Sequence, residues 1–184
     1  MEVTMKYSLS SLLFLIIFTL SSSANAVSNN TWEDISDIGL YSLVGTALIL
    51  PAARGDWEGF RQAGYSLGVA QGAALLGKAL IHEDRPDHSN NDSFPSGHAT
   101  VAFASATTLY RRYGWQTGLP AYAVATLTAY ARVDARKHHW YDVVAGAAIG
   151  TASGWFFTDA FNDQVQLTPW LEGDAGGVNV STSW

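Results

Sequence analysis

The chain has 184 residues, enough for one domain with its own core. Its net charge of −6, with no basic tract to offset it, argues against a nucleic-acid partner, and the absence of cysteine removes disulfides and thiolate metal sites. Hydrophobic residues make up 48% and charged residues only 14%, below the roughly 25% of an average soluble protein, so the chain is either tightly packed or membrane-associated.

Residues 1–26 read as an export signal. Lys6 precedes the apolar run from Leu12 to Phe18, and Ala24-Asn25-Ala26 supplies an A-x-A cleavage pattern. Glu2 and Thr4 are unusual in such an n-region, which makes Met5 a candidate start, and a retained first transmembrane helix is the alternative to cleavage. Ser28 to Asp37 follows as a polar lead-in. From Ile38 to Ala53 no residue is charged, and a helix there should end near Pro51 or Gly55.

A second helix is expected from Trp57 to Asp84, stopped by Pro86. Leu67, Ala70, Ala74 and Leu75 form its apolar stripe, and Gly64, Gly68, Gly72 and Gly77 suit a close helix–helix contact. A third should start at Ser96 or Gly97 and end at Arg111-Arg112-Tyr113-Gly114, with cations on its last turn and glycine beyond. A fourth follows Pro120 and closes near Arg132, and a fifth runs from His139 or Trp140 to about Asp159. The expected fold is an all-α single bundle of five to six helices over residues 27–160 with a site at one rim. Residues 161–184 read as a loosely packed C-terminal extension in which Val178 to Ser181 alternates weakly like a strand.

The uncharged runs 38–53, 62–77, 113–131 and 143–158 are 16 to 19 residues long, at the lower edge of the ~17–25 needed to span hydrocarbon. They are rich in small residues, and Gln62 and Gln71 sit inside one of them. Hydropathy therefore favours a soluble or peripherally attached exported bundle over an integral one.

Three polar clusters fall at expected helix ends. Lys78 and Arg85 are seven residues apart with His82 between them, so on one helix all three share a face, although taken alone they read more readily as a solvated helix end near Glu83 and Asp84. Ser96 is a natural N-cap; Gly97 and His98 then open a helix whose unpaired N–H groups and partial positive charge suit a phosphate oxygen. Arg132 closes a helix, and His138 and Asp142 are four apart at the next helix start, so the carboxylate can orient the imidazole and free Nε2 as a nucleophile. The bland reading of that pair is an ordinary i,i+4 partner at a helix start. Together the clusters hold two imidazoles, three permanent cations, a carboxylate and a helix N-terminus, an inventory suited to a phosphate ester.

Lys78-x6-Arg85-Pro86, Pro95-Ser96-Gly97-His98 and Arg132-x5-His138-x3-Asp142 resemble the tripartite signature of the type 2 phosphatidic acid phosphatase superfamily, which also holds class A acid phosphatases and vanadium haloperoxidases. The resemblance implies a metal-free, cofactor-free hydrolase in which His138 forms a phosphohistidine, Asp142 orients it, and His98 serves as general acid and then base. Lys78, Arg85, Arg132 and the Ser96/Gly97 turn would hold the non-bridging oxygens. Ala131 stands where the family usually has Ser, and the loop from Asp87 to Phe94 is short for the family. The expected substrate is a phosphorylated lipid (undecaprenyl diphosphate, a phosphatidate or lipid A), with a small soluble phosphate ester as the alternative. The expected setting is the periplasm, or an inner membrane with a periplasm-facing site. Rival readings are a vanadate-dependent haloperoxidase, a metal-dependent hydrolase built from His82, Asp87, His88, His138 and His139, and a non-catalytic binding protein.

Overall fold

A computed structural model describes residues 27–159, 165–172 and 175–182; the expected signal segment lies outside the described residues. Five helices are described: α1 (Asn29–Ala53), α2 (Trp57–Leu80), α3 (Gly97–Tyr113), α4 (Trp115–Asp134) and α5 (Trp140–Phe157). A two-stranded antiparallel hairpin follows, β1 (Val165–Glu172) and β2 (Ala175–Thr182), with Leu167 opposite Val180. The all-α expectation holds for the bundle, and the weak strand alternation at Val178 to Ser181 belongs to a real strand.

Three helix boundaries differ from expectation. α1 begins nine residues before Ile38, capped by Ser28, whose Oγ accepts from the Thr31 N–H at 3.2 Å. The polar lead-in is thus helical, with Glu33, Ser36 and Asp37 meeting polar groups of the bundle while Asn29, Asn30 and Asp34 are exposed. α2 ends at Leu80, so Lys78 and Arg85 do not share a helical face. Arg85 arrives instead on a loop tied by its N–H to the Asn90 carbonyl (3.0 Å) and by the Glu83 N–H to the Asn91 carbonyl (3.0 Å). α4 starts at Trp115, just after Gly114 at φ 82°, and carries Pro120 inside it at the loss of one backbone bond.

The core is built largely from alanine, so the helices approach closely. Leu43, Leu67, Ala70, Ala102, Ala106, Leu109, Ala121 and Ala125 form the main cluster, and Ala99, Ala129 and Val143 form a smaller one beneath the polar rim. α3 is the central helix and packs most extensively against α5. Glycines on α5 allow it: a Cβ on Gly146 would lie 2.6 Å from the Ser96 carbonyl oxygen, and one on Gly154 would lie 2.6 Å from Thr107 Cβ.

Gly64, Gly68 and Gly72 were expected to serve that purpose and do not, since a Cβ on any of them meets nothing within 4 Å. Leu75, expected in the buried stripe of α2, is 55% exposed. In a helix rich in Ala and Gly every face looks alike in sequence, and packing alone selects the one that is buried.

Candidate active site

All the predicted site residues lie at the end of the bundle formed by the start of α1, the end of α2, the start of α3, the end of α4 and the start of α5. The 81–95 loop closes that end. Lys78 Nζ, on the last turn of α2, donates to the Asp92 carbonyl, and the Ser93 N–H bonds to the Glu83 carbonyl at 3.0 Å.

α3 and α5 are joined at their starts. Ser96 caps α3 through Oγ, which accepts from the Ala99 N–H at 3.4 Å, while its own N–H donates to the Asp142 carbonyl at 3.1 Å. Ser96 is fully buried by these contacts. The first N–H groups of α3, on Gly97 and His98, have no acceptor within the helix and so can turn to an anion.

Asp142 is fully buried and heavily used. Its Oδ2 accepts from Ser93 Oγ at 2.5 Å and from the His139 N–H at 2.8 Å, the second being one arm of a capping box. His138 Nδ1 is 3.6 Å from the same oxygen, beyond hydrogen-bond length, so the expected carboxylate–imidazole pair is a near approach rather than a bond. His138 is itself held by its backbone N–H on the Arg132 carbonyl at 3.2 Å. Ser93 was missed by sequence reasoning: nothing local marks a serine 49 residues from its carboxylate.

The electrostatics point to an anion site. Burial, followed by the nearby Arg132, Lys78 and Arg85, pushes the His138 imidazole down to about 2, with the Ser93 carbonyl offsetting this only in part. The ring is therefore neutral, with a lone pair available, throughout the physiological range. Burial and then Arg85 lower the proton affinity of both Lys78 and Arg132, as expected of cations gathered without enough counter-charge. Arg85 Nε and Arg132 Nε are buried donors with no partner among the described residues. Arg132 Nη1 donates to Ser36 Oγ at 3.2 Å.

His98 stands half-buried at the start of α3, with Nε2 2.7 Å from Asp37 Oδ1 of α1. Burial first, then Arg132, lowers its proton affinity, while Asp37 works in the opposite direction.

Of the residues considered as metal ligands, His82 and His88 are exposed, and Asp87 is engaged with Lys137 at 2.9 Å. The one His/Asp/Glu group among the described residues with ligand atoms close together is Glu83, His139 and Asp142, within 4.8 Å of one another. Glu83 there accepts from the Tyr141 hydroxyl, and His139 stacks on the Tyr141 ring at 5.0 Å. An apolar depression of about 630 Å³ on α5, lined by residues including Ala148, Trp155 and Phe156, lies toward the opposite end and touches none of the site residues.

The arrangement presents a buried neutral imidazole, a second imidazole with a carboxylate behind it, three converging cations and a helix N-terminus. It can bind a tetrahedral oxyanion and offer it a nucleophile.

Comparison with known proteins gives the same direction. The family model described as PAP2 superfamily matches residues 60–166, more than half of the chain. The chain is 30% identical over 169 residues to the lipid A 4′-phosphatase of Helicobacter pylori (strain J99), covering 83% of this chain and 85% of that protein. Among solved structures it resembles Aquifex aeolicus LpxE, with a TM-score of 0.61 at 21% identity over 82% of this chain and 95% of that one. It also resembles the transmembrane PAP2 type phosphatidylglycerolphosphate phosphatase of Bacillus subtilis, with a TM-score of 0.51 at 23% identity over 80% and 92% of the two chains.

Proposed function

The chain belongs to the PAP2 superfamily and is a phosphoric ester hydrolase, and from that premise we propose that it removes phosphate from a membrane lipid, with lipid A phosphate the first substrate to test, through a phosphohistidine on His138. The single observation that carries the mechanism is the pair of buried, unpartnered guanidinium donors, Arg85 Nε and Arg132 Nε, gathered with Lys78 around a neutral His138.

His138 Nε2 attacks phosphorus in line, forming the P–N bond as the P–O bond to the leaving group breaks. His98 gives its proton to the departing oxygen, releasing the lipid alcohol. Asp142 Oδ2, 3.6 Å from His138 Nδ1, supplies opposite charge as the ring becomes positive. His98, now neutral, takes a proton from water, whose oxygen bonds to phosphorus as the P–N bond breaks and inorganic phosphate leaves. Lys78, Arg85, Arg132 and the Gly97 N–H, in a helix start built by Ser96, hold the non-bridging oxygens through both steps.

A lipid substrate is supported by the relative named as a lipid A phosphatase and by the surface of the bundle. Ile38, Ile49, Leu75, Leu76, Leu119 and Val144 are all more than half exposed, on runs with no charged residue. Exposed Trp115 and Trp155 sit at the end away from the site and exposed Trp140 and Tyr141 at the site end, the distribution of interfacial anchors. Among the described residues α1 alone is both long and apolar enough by composition to cross a membrane, with mean hydropathy 1.5 and only 22% of its apolar window buried. The reading is an integral bundle in which the uncharged runs 38–53, 62–77, 113–131 and 143–158 lie at membrane depth around the central α3, with every site group beyond them.

The site would face the periplasm. An N-terminal export signal, cleaved or retained, delivers the start of α1 to the outer side, and that start lies at the site end.

The test is phosphate release by the purified full chain in detergent from lipid A, prenyl diphosphate, phosphatidate and soluble monoesters. His138→Ala should abolish turnover and the acid-labile phosphoenzyme. His98→Ala should still be phosphorylated by esters with good leaving groups, which need little acid help. Near wild-type turnover by His138→Ala would sink the proposal.

A further inference from the structure

We infer that Asp37 is a positioning residue for His98, and that the first turns of α1, which precede the residues matched by the family model, are part of the active site. The inference rests on the proposed role of His98 as general acid and base.

Three side chains on one face of α1 reach three site elements. Glu33 Oε1 pairs with Lys137 Nζ at 3.1 Å, Ser36 Oγ accepts from Arg132 Nη1 at 3.2 Å, and Asp37 Oδ1 meets His98 Nε2 at 2.7 Å. Positions 33, 36 and 37 are related by three and four residues, the spacing that puts side chains on one helical face. Ser36 is fully buried and its hydroxyl donates to the Glu33 carbonyl at 2.7 Å, which fixes the strip in register. The residues matched by the family model begin only at 60, so this contribution comes from outside them.

The consequence for His98 is chemical as well as structural. Asp37 engages Nε2, which leaves Nδ1 as the ring nitrogen that exchanges a proton with the ester oxygen and with water. The charged groups acting on the imidazole are Arg132 from α4, Arg85 from the 81–95 loop and Asp37 from α1; the two arginines drive the proton off and Asp37 retains it. Without Asp37 the ring would lie among cations and would be a poor acid for an alkoxide leaving group, because it would seldom be protonated. Asp37 therefore permits one electropositive pocket both to bind phosphate and to protonate its ester oxygen.

The experiment compares wild type, Asp37→Asn and Asp37→Glu as full-length protein in detergent. The His98 imidazole is titrated by NMR with ring-labelled histidine, assigned through His98→Ala. Alkyl and aryl phosphate turnover are measured alongside. Asp37→Asn should lower the His98 midpoint by about one pH unit, the smaller end of the usual effect of a neighbouring opposite charge because the carboxylate is half exposed. It should reduce kcat on the alkyl ester by about 10–100-fold and on the aryl ester by no more than about 3-fold, with most of the loss restored by Asp37→Glu.

An unmoved midpoint overturns the inference, as does an equal fall on both esters. The NMR titration needs no turnover. Failure of the phosphohistidine reading, seen as activity surviving in His138→Ala, is therefore distinguishable from failure of the Asp37 assignment.

Discussion

Substituting Gly146 with alanine tests whether the packing of α5 on α3 sets the catalytic geometry. Gly146 lies four residues, about one helical turn, past Asp142. The added methyl would sit 2.6 Å from the Ser96 carbonyl oxygen, 2.9 Å from Thr100 Oγ1 and 3.2 Å from Ala99 Cβ. Ordinary contact begins near 3.4 Å, so the two helix starts must separate by about 0.8 Å at that level. The Ser96 carbonyl belongs to the α3 cap and cannot swing away without loosening its bond to the Thr100 N–H at 3.0 Å. The separation therefore passes to the distance between His98 on α3 and His138 beside α5.

Overpacking of this kind costs about 1–3 kcal/mol, and a misplacement approaching 1 Å costs up to about 100-fold in rate. Gly146→Ala should lower the melting temperature by several degrees and kcat/KM by about 10–100-fold, measured on the purified protein in detergent. Gly68→Ala is the control. A Cβ there meets nothing within 4 Å, so it should keep wild-type turnover and melt no earlier. Wild-type kinetics in Gly146→Ala would refute the reasoning.

At the other end of the bundle, Asp56 caps α2 through the Gly59 N–H (2.9 Å), accepts from Arg112 at 2.8 and 2.5 Å, and accepts from the Tyr113 hydroxyl at 2.9 Å. Asp56→Ala removes the cap and takes a carboxylate from a buried guanidinium, for a loss of about 3–5 kcal/mol in a chemical denaturation series; KM should not change, because the site lies at the opposite end. Stability should also fall with pH in two stages. The His138 imidazole has an ordinary value of 6.5 and is held to about 2 when folded, so the unfolded chain takes up the proton first and stability drops as pH falls below 6.5. Asp56, lowered from 3.8 to about 2 chiefly by the Arg112 hydrogen bond, contributes stability that is present above 3.8 and lost as pH falls through 2. Melting temperature should fall as pH drops below 6.5 and fall more steeply below 3.8, where both groups act, and His138→Asn should flatten the part between 6.5 and 3.8. In the proposed mechanism His98 acts as the acid and must carry a proton, and burial lowers its affinity for one, so kcat/KM should decline as pH rises and be highest on the acid side of 6.5; an optimum above 8 would count against that role.

The sequence determined what local chemistry can specify. Ser96 as a cap, Arg111 and Arg112 on the last turn of α3, Gly114 beyond it, and His138 and Asp142 flanking the start of α5 all follow from rules that act within one or two helical turns. Because a helix closes its own hydrogen bonds, five helices and three polar clusters at their ends were legible without any knowledge of how the helices pack. Tertiary structure alone decided the rest: that Arg85 reaches the site from a loop, that Gly146, Gly150 and Gly154 make the close contact while Gly64, Gly68 and Gly72 face outward, and that Asp142 bonds to Ser93 rather than to His138. Asp37 meets His98 across 61 residues, and Ser36 meets Arg132 across 96. Such pairings depend on which faces of alanine-rich helices meet, and small apolar side chains make those faces nearly equivalent in sequence, so only the packed bundle distinguishes them.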